Sequence, residues 1–189
     1  MQFRGGSVVG VSASPFSREQ QVYAHQGDWW EVDVSLPAMK RADAEPWVGF
    51  LLALNGREGT FLLGEPVNTS PRGVGTGTPL VKGASQTGRT LLTDGWTISQ
   101  TGILKAGDWF QLGTGSSSRL HKVVQDADSD GSGNATLEIW PRLRVSPADN
   151  AALTVSSPKG VFRLAGNMRE WSLEQAAIYG LSFSCVEAL

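Results

Sequence analysis

At 189 residues the chain suits one large domain or two small ones, and it is long enough to bury a core. Sixteen Lys and Arg stand against eighteen Asp and Glu, a net charge of -2, so there is no electrostatic reason to seek nucleic acid or an anionic membrane. No stretch approaches the roughly 18 apolar residues of a membrane span, and the single cysteine, Cys185, excludes an intrachain disulfide.

The N-terminal MQFRGGSVVGVSAS is broken by Gly and Ser and lacks the continuous apolar run of a signal peptide, which points to folding in a cytoplasm rather than secretion. Ser7 to Val11 reads as a short strand followed by loop, or as an extended arm. Strands are expected at Gln20–Ala24 and Trp29–Leu36, joined by a turn at His25–Asp28. In the second, Trp30, Val32, Val34 and Leu36 alternate with Glu31, Asp33 and Ser35, the period of a strand with one buried and one wet face. A helix is predicted over about 43–55: Asp43 as N-cap, Pro46 in the first turn, Trp47, Phe50, Leu51 and Leu54 as the apolar stripe, and Asn55–Gly56 as the left-handed stop.

Gly59–Gly64 is then a strand, and residues 65–90, dominated by Gly, Thr, Ser and Pro, read as loop or linker. Short strands follow at Thr90–Leu92, Thr97–Ser99, Trp109–Leu112, Leu120–Gln125 and Ala135–Trp140, a spacing typical of a small barrel or sandwich. Residues 141–158 are turn-rich. Gly160–Leu164 repeats the G-x-F-x-L pattern of Gly59–Leu63, and Tyr179–Val186 closes the chain as an alternating strand. The expected fold is mainly β. A split β-sandwich or barrel domain with one α-helix, residues 1–75 plus 159–189, carries an inserted small β-barrel-like domain, residues 76–158.

Few residues point to chemistry. Asp126, Asp128 and Asp130 match the opening of an EF-hand loop, but position 12 is Leu137 rather than the required Glu, and the flanks read as strands. A solvated hairpin loop is the simpler expectation, with the three aspartates a weak metal candidate only. Gly73-Val74-Gly75-Thr76-Gly77 lacks the following helix of a phosphate-cradling loop. His25 and His121 stand apart, and with one cysteine they do not make a zinc set. There is no G-x-S-x-G elbow. No catalytic residue and no cofactor is therefore expected. Among seven tryptophans, Trp30, Trp47 and Trp140 fit core periodicity, while Trp29, on the wet side of its strand, is the interface candidate.

Several phrases resemble proteins of the tail-tip region of long-tailed bacteriophages and prophages: Phe61-Leu-Leu-Gly-Glu-Pro66, Pro79-Leu-Val-Lys-Gly-Ala84, Leu104-Lys-Ala-Gly-Asp-Trp-Phe-Gln-Leu112, Arg119-Leu-His-Lys-Val-Val124, and Asp128 to Thr136 running into Trp140-Pro-Arg-Leu-Arg144. The resemblance covers the chain from about residue 20 onward, and the domain plan is similar to that of distal tail proteins. It implies a structural, non-enzymatic ring, a hexamer by that resemblance, joining the tail tube protein to tail-tip hub or receptor-binding proteins. The implied location is the virion tail, made in the host cytoplasm. Two alternatives stay open: a carbohydrate- or receptor-binding accessory module of the tail, and a tail-terminator or head-to-tail joining ring.

Overall fold

The computed structural model describes residues 1–67, 69–173 and 178–189. In chain order its strands are β1 (Gln2–Gly6), β2 (Val9–Ala13), β3 (Gln20–Ala24), β4 (Trp29–Ser35) and β5 (Met39–Lys40), then helix α1 (Arg41–Ala53), then β6 (Phe61–Leu63), β7 (Gly77–Val81), β8 (Gly88–Trp96), β9 (Trp109–Leu112), β10 (Arg119–Val123), β11 (Ala135–Leu143), β12 (Leu153–Thr154), β13 (Gly160–Leu164), β14 (Trp171–Leu173) and β15 (Ile178–Glu187). The chain is mainly β with one α-helix among the described residues.

Two large sheets share all of these strands but β2 and β3. The first runs β1-β4-β15-β13-β6, with β14 and β5 also pairing β15. The second runs β12-β9-β10-β11-β8-β7. Its two end strands nearly meet: Val81 N donates to Ala151 O (2.9 Å), Asn150 N donates to Val81 O (2.9 Å), and Leu80 bridges Ala152. Those bonds bend the sheet into an almost closed barrel, which removes most of its exposed edge. The strands of the first sheet come from both ends of the chain, and those of the barrel lie between Gly77 and Thr154.

Each face follows from strand periodicity. In β4, Trp30, Val32 and Val34 are buried while Trp29, Glu31 and Asp33 are half-exposed. In β11, Ala135, Leu137, Ile139 and Leu143 point into the barrel with Leu91, Phe110 and Val123. The opposite face of β11 and its neighbours is also covered, since Trp109, Leu120 and Trp140 pack on Trp30, Phe162 and Phe3 of the first sheet. The Trp30 ring lies 4.3 Å from Trp140 and 4.8 Å from Trp109, and its Nε1–H donates to Leu120 O at 3.0 Å. Full burial of one such side chain stabilises by roughly 1.5–3 kcal/mol, so this aromatic knot fixes the two sheets to each other. It also explains two glycines: a Cβ on Gly5 would meet Trp140 at 2.5 Å, and one on Gly6 would meet Trp29 at 2.5 Å.

Several expectations are corrected. The helix begins at Arg41 with Lys40 as N-cap, so Asp43 sits inside the first turn, where its charge still favours the positive end of the helix. Its buried stripe is Ala44, Val48 and Leu51, at helical spacing. Trp47 is 39% exposed and is not a core residue, because it lies one position off that stripe. Asn55 and Gly56 do adopt positive φ, 50° and 70°, at the helix end.

The linker at 65–90 contains β7 and the start of β8. Gly77, at φ 116°, lies so close to Gly95 that a Cβ would meet Gly95 O at 2.3 Å, so this Gly-rich stretch is the close approach of two strands. Of the strands expected at Thr90–Leu92 and Thr97–Ser99, the first lies within β8, which ends at Trp96, while 97–99 is the turn that follows it and not a strand; β11 continues through Pro141 to Leu143. The G-x-F-x-L repeat has a structural meaning, since β6 and β13 pair antiparallel with Phe61 opposite Phe162.

Candidate protein interface

Strands β2 and β3 belong to neither large sheet; they pair only with each other. They interrupt the β1–β4 hairpin, whose last register pair is Gly6 with Trp29, and so form an arm at that sheet edge. No residue from Ser7 to Gln26 is buried. The tip is built locally: Ser14 Oγ accepts from Phe16 N and Ser17 N, Ser14 N donates to Glu19 O (2.9 Å), and Arg18 takes φ 57°.

Directly opposed residues of an antiparallel pair share a face. In the arm, Val9 opposes Ala24, Val11 opposes Val22 and Ala13 opposes Gln20, whereas Gly10 opposes Tyr23 and Ser12 opposes Gln21. One face is therefore almost wholly apolar and the other mostly polar. Val11 and Val22 are 58% and 61% exposed, and Phe16 at the tip is 98% exposed. An isolated two-stranded hairpin is marginal in water, and a contiguous apolar face in the open marks an interaction surface.

The arm is anchored by a buried ionic network. Asp28 Oδ2 accepts from Arg89 Nη2 and Arg142 Nε, each at 3.3 Å, and Arg144 donates to Asp28 O and to Glu187 Oε1. Glu187 Oε2 also accepts from Trp30 N at 3.2 Å. Burial pushes the Asp28 carboxyl upward, but the Ser7 hydroxyl, the Arg142 backbone and side chain, and the Arg89 charge together hold it below the ordinary carboxylate value. Asp28 Oδ1 is buried without a hydrogen-bond partner. The network ties the base of the arm to β8, β11 and β15, so the arm leaves the body from a fixed point.

Trp29, the interface candidate, is half-buried; it covers Gly6, and its Nε1–H donates to Glu31 Oε1 at 3.0 Å. The three aspartates of the EF-hand-like loop are turned to separate duties. Asp126 accepts from Ala106 N and Lys105 Nζ, Asp128 from Gly102 N, and Asp130 from Ser132 N, Asn134 N and Asn134 Nδ2. These bonds hold Asp126 and Asp130 below the usual carboxylate range. No group of three or more metal-ligating side chains converges among the described residues.

The glycine-rich stretch spends its amides in the same way. Gly73 N donates to Asp108, Val74 N to Gly102 O and Gly75 N to Ile103 O. Asp108 also accepts from Arg72 N and Lys105 N, so this buried carboxylate fastens the linker to the barrel.

His121 lies inside the barrel, stacked on Phe110 at 5.4 Å, with Nδ1 2.9 Å from Pro141 O. Burial lowers its pKa to about 4, with Arg144 and Arg119 adding to the effect against the Pro141 bond. The ring borders a cleft of about 400 Å³ at the barrel's end, together with Leu112, Arg119, Leu143, Ala148 and Leu189. Cys185, on β15, is buried in the cluster between the first sheet and the barrel, and burial, then the nearby Asp33 charge, pushes its thiol up to about 12, an inert group rather than a nucleophile. No helix among the described residues is long and apolar enough to cross a membrane. The sequence reading placed a strand at Gln20–Ala24 and a short strand or extended arm at Ser7 to Val11; their pairing and the exposed apolar face appear only in the structure. Comparison with models of known protein families and with curated proteins gives no match to this chain.

Proposed function

We propose that the chain is a structural component of the tail tip of a long-tailed bacteriophage, a ring-forming protein that joins the tail tube to hub or receptor-binding proteins. In this reading it catalyses nothing. The observation that carries it is the arm: twenty residues with none buried, one apolar face and a fixed root, an arrangement suited to a chain completed by a protein neighbour. The resemblance of the phrases from Phe61 to Arg144 to tail-tip proteins supplies the kind of assembly. The rigid aromatic joint between sheet and barrel suits a load-bearing part.

The test is copurification. Antibody raised to this chain should label one end of the tail in electron micrographs of particles, and the chain should sediment with them through a gradient. A chain absent from purified particles overturns the proposal. A second reading, an accessory module that binds a carbohydrate or receptor, draws on the cleft beside His121 and Arg119. A glycan array probed with the full chain and with an Arg119→Ala variant separates it from the first, since a purely structural ring binds no glycan.

A further inference from the structure

The first sheet ends at an open edge beside partly exposed aromatic side chains. Strand β6 is the last in the order and pairs only with β13. Above it a row of aromatic rings leads outward: Phe183 to Phe61 at 6.3 Å, Phe61 to Phe50 at 5.6 Å, Phe50 to Trp47 at 6.2 Å. The row starts on the central strand β15 and ends on the helix in Trp47 and Phe50, both part-exposed. Phe50 and Trp47 of helix α1 thus carry the row on beyond β6, and among the described residues no strand pairs the outer edge of β6.

We propose that the arm of a second copy of this chain occupies that edge. The arm lies along the outer edge of β6, its face of Val9, Val11, Ala13, Val22 and Ala24 turned toward Trp47 and Phe50. The proposal rests on the ring-forming reading above and names the partner and the seat.

Four observations carry it. An open strand edge offers unpaired backbone groups, and strand addition is a recurrent way of satisfying them. The amphipathic arm matches a half-covered edge, since its apolar face continues the core and its Gly10, Ser12, Gln21 and Tyr23 face stays wet. Its size is of the right order: the arm's twenty residues, none of them buried, are the most it can bring to a contact, against the roughly 20–30 residues a side of a stable interface. Arg18 and Glu19, both at the tip, are the only Asp, Glu, Lys or Arg from Ser7 to Gln26, so the strands bring no such charge into the contact.

Topology then sets the symmetry. The arm springs from the β1–β4 edge, and β6 is the opposite edge, about 19 Å away across five strands. Donor and acceptor surfaces differ, so the contact is head-to-tail and repeats from copy to copy, closing into a ring when the rotation allows.

Complementation of full-length variants tests this. The arm variant carries Val11→Glu and Val22→Glu; neither side chain belongs to a buried cluster, so the monomer keeps its circular dichroism and Tm. The edge variant carries Trp47→Glu. Each should weaken self-association by at least about 30-fold and run as a monomer. Mixed, they retain one good arm and one good edge between them and should give a heterodimer and nothing larger. If the wild-type chain assembles and the arm variant assembles equally well, the docking is wrong and the ring reading stands. Two monomeric variants that fail to complement rule out the head-to-tail seat. A wild-type chain that stays monomeric at every concentration overturns both. Should Trp47→Glu not fold, Val11→Cys combined with Trp47→Cys replaces it: oxidation should give a ladder of multiples, and a product stopping at dimer, or none, overturns the proposal.

Discussion

His121 makes the stability of this protein depend on pH in a window where no other shifted group among the described residues acts. Its imidazole is buried in the barrel, and its pKa is lowered from 6.5 to about 4, first by burial and then by Arg144 and Arg119. The unfolded chain therefore binds a proton below pH 6.5 that the folded chain refuses until about pH 4. Stability is fully present above 6.5 and is lost as pH falls toward 4, at up to about 1.4 kcal/mol per pH unit and roughly 3 kcal/mol in all. Asp28, Asp126 and Asp130 are held below 3.8, so their contributions are lost only at more acid pH. Urea unfolding at steps from pH 7.5 to 4.5, on wild type and on His121→Phe, isolates the effect. The variant keeps an aromatic ring against Phe110 but cannot titrate, so its stability should be flatter than wild type between pH 6.5 and 5, by on the order of 2 kcal/mol. Parallel curves for the two proteins would show that the imidazole is not held neutral by burial, and the reasoning would fall.

Three further outcomes follow from the same geometry. Glu187→Ala removes a buried carboxylate and leaves part-buried Arg144 without that partner and Trp30 N without its acceptor; it should cost about 3–5 kcal/mol, seen by calorimetry as a fall in Tm on the order of 10 °C for a chain of this length. Gly5→Ala forces a Cβ to within 2.5 Å of the Trp140 ring; overpacking of about 1–3 kcal/mol should appear in Tm together with an altered near-ultraviolet tryptophan signal. Calcium should not stabilise the protein, because Asp126, Asp128 and Asp130 already serve separate donors; a real site with a Kd of about 1 mM would add roughly 1.4 kcal/mol at about 10 mM calcium, and a matching rise in Tm would contradict this.

What could be read from the sequence was local. The alternation through Trp30, Val32 and Val34, the Asn55–Gly56 helix stop, and the G-x-F-x-L strands all lie within a few residues of the feature that they specify. What could not be read depends on distant partners. Strand β1 is hidden in Gln2–Gly6 because Gly5 and Gly6 weaken any strand signal, and the reason for Gly5 is Trp140, far along the chain. Strand β7 is masked in the same way by Gly77, which answers to Gly95. The helix pattern admitted more than one apolar stripe, and the choice of Ala44, Val48 and Leu51 over Trp47 depends on where the sheet lies. The aspartates of the EF-hand-like loop were visible as a motif, yet their donors include Gly102, Lys105 and Ala106, on a separate loop. For the candidate interface, β3 was legible as a strand, but its amphipathic character exists only in register with β2.

The claim on which the account turns is that the arm completes itself on another copy. Sedimentation velocity on the full chain, and on a variant with residues 7–26 replaced by a short Gly-Ser turn, measures it directly. The account predicts a closed species at an integral multiple of 20.2 kDa for the intact chain and a folded 20.2 kDa monomer for the variant. A monomer in both cases, or the same multiple in both, would contradict it.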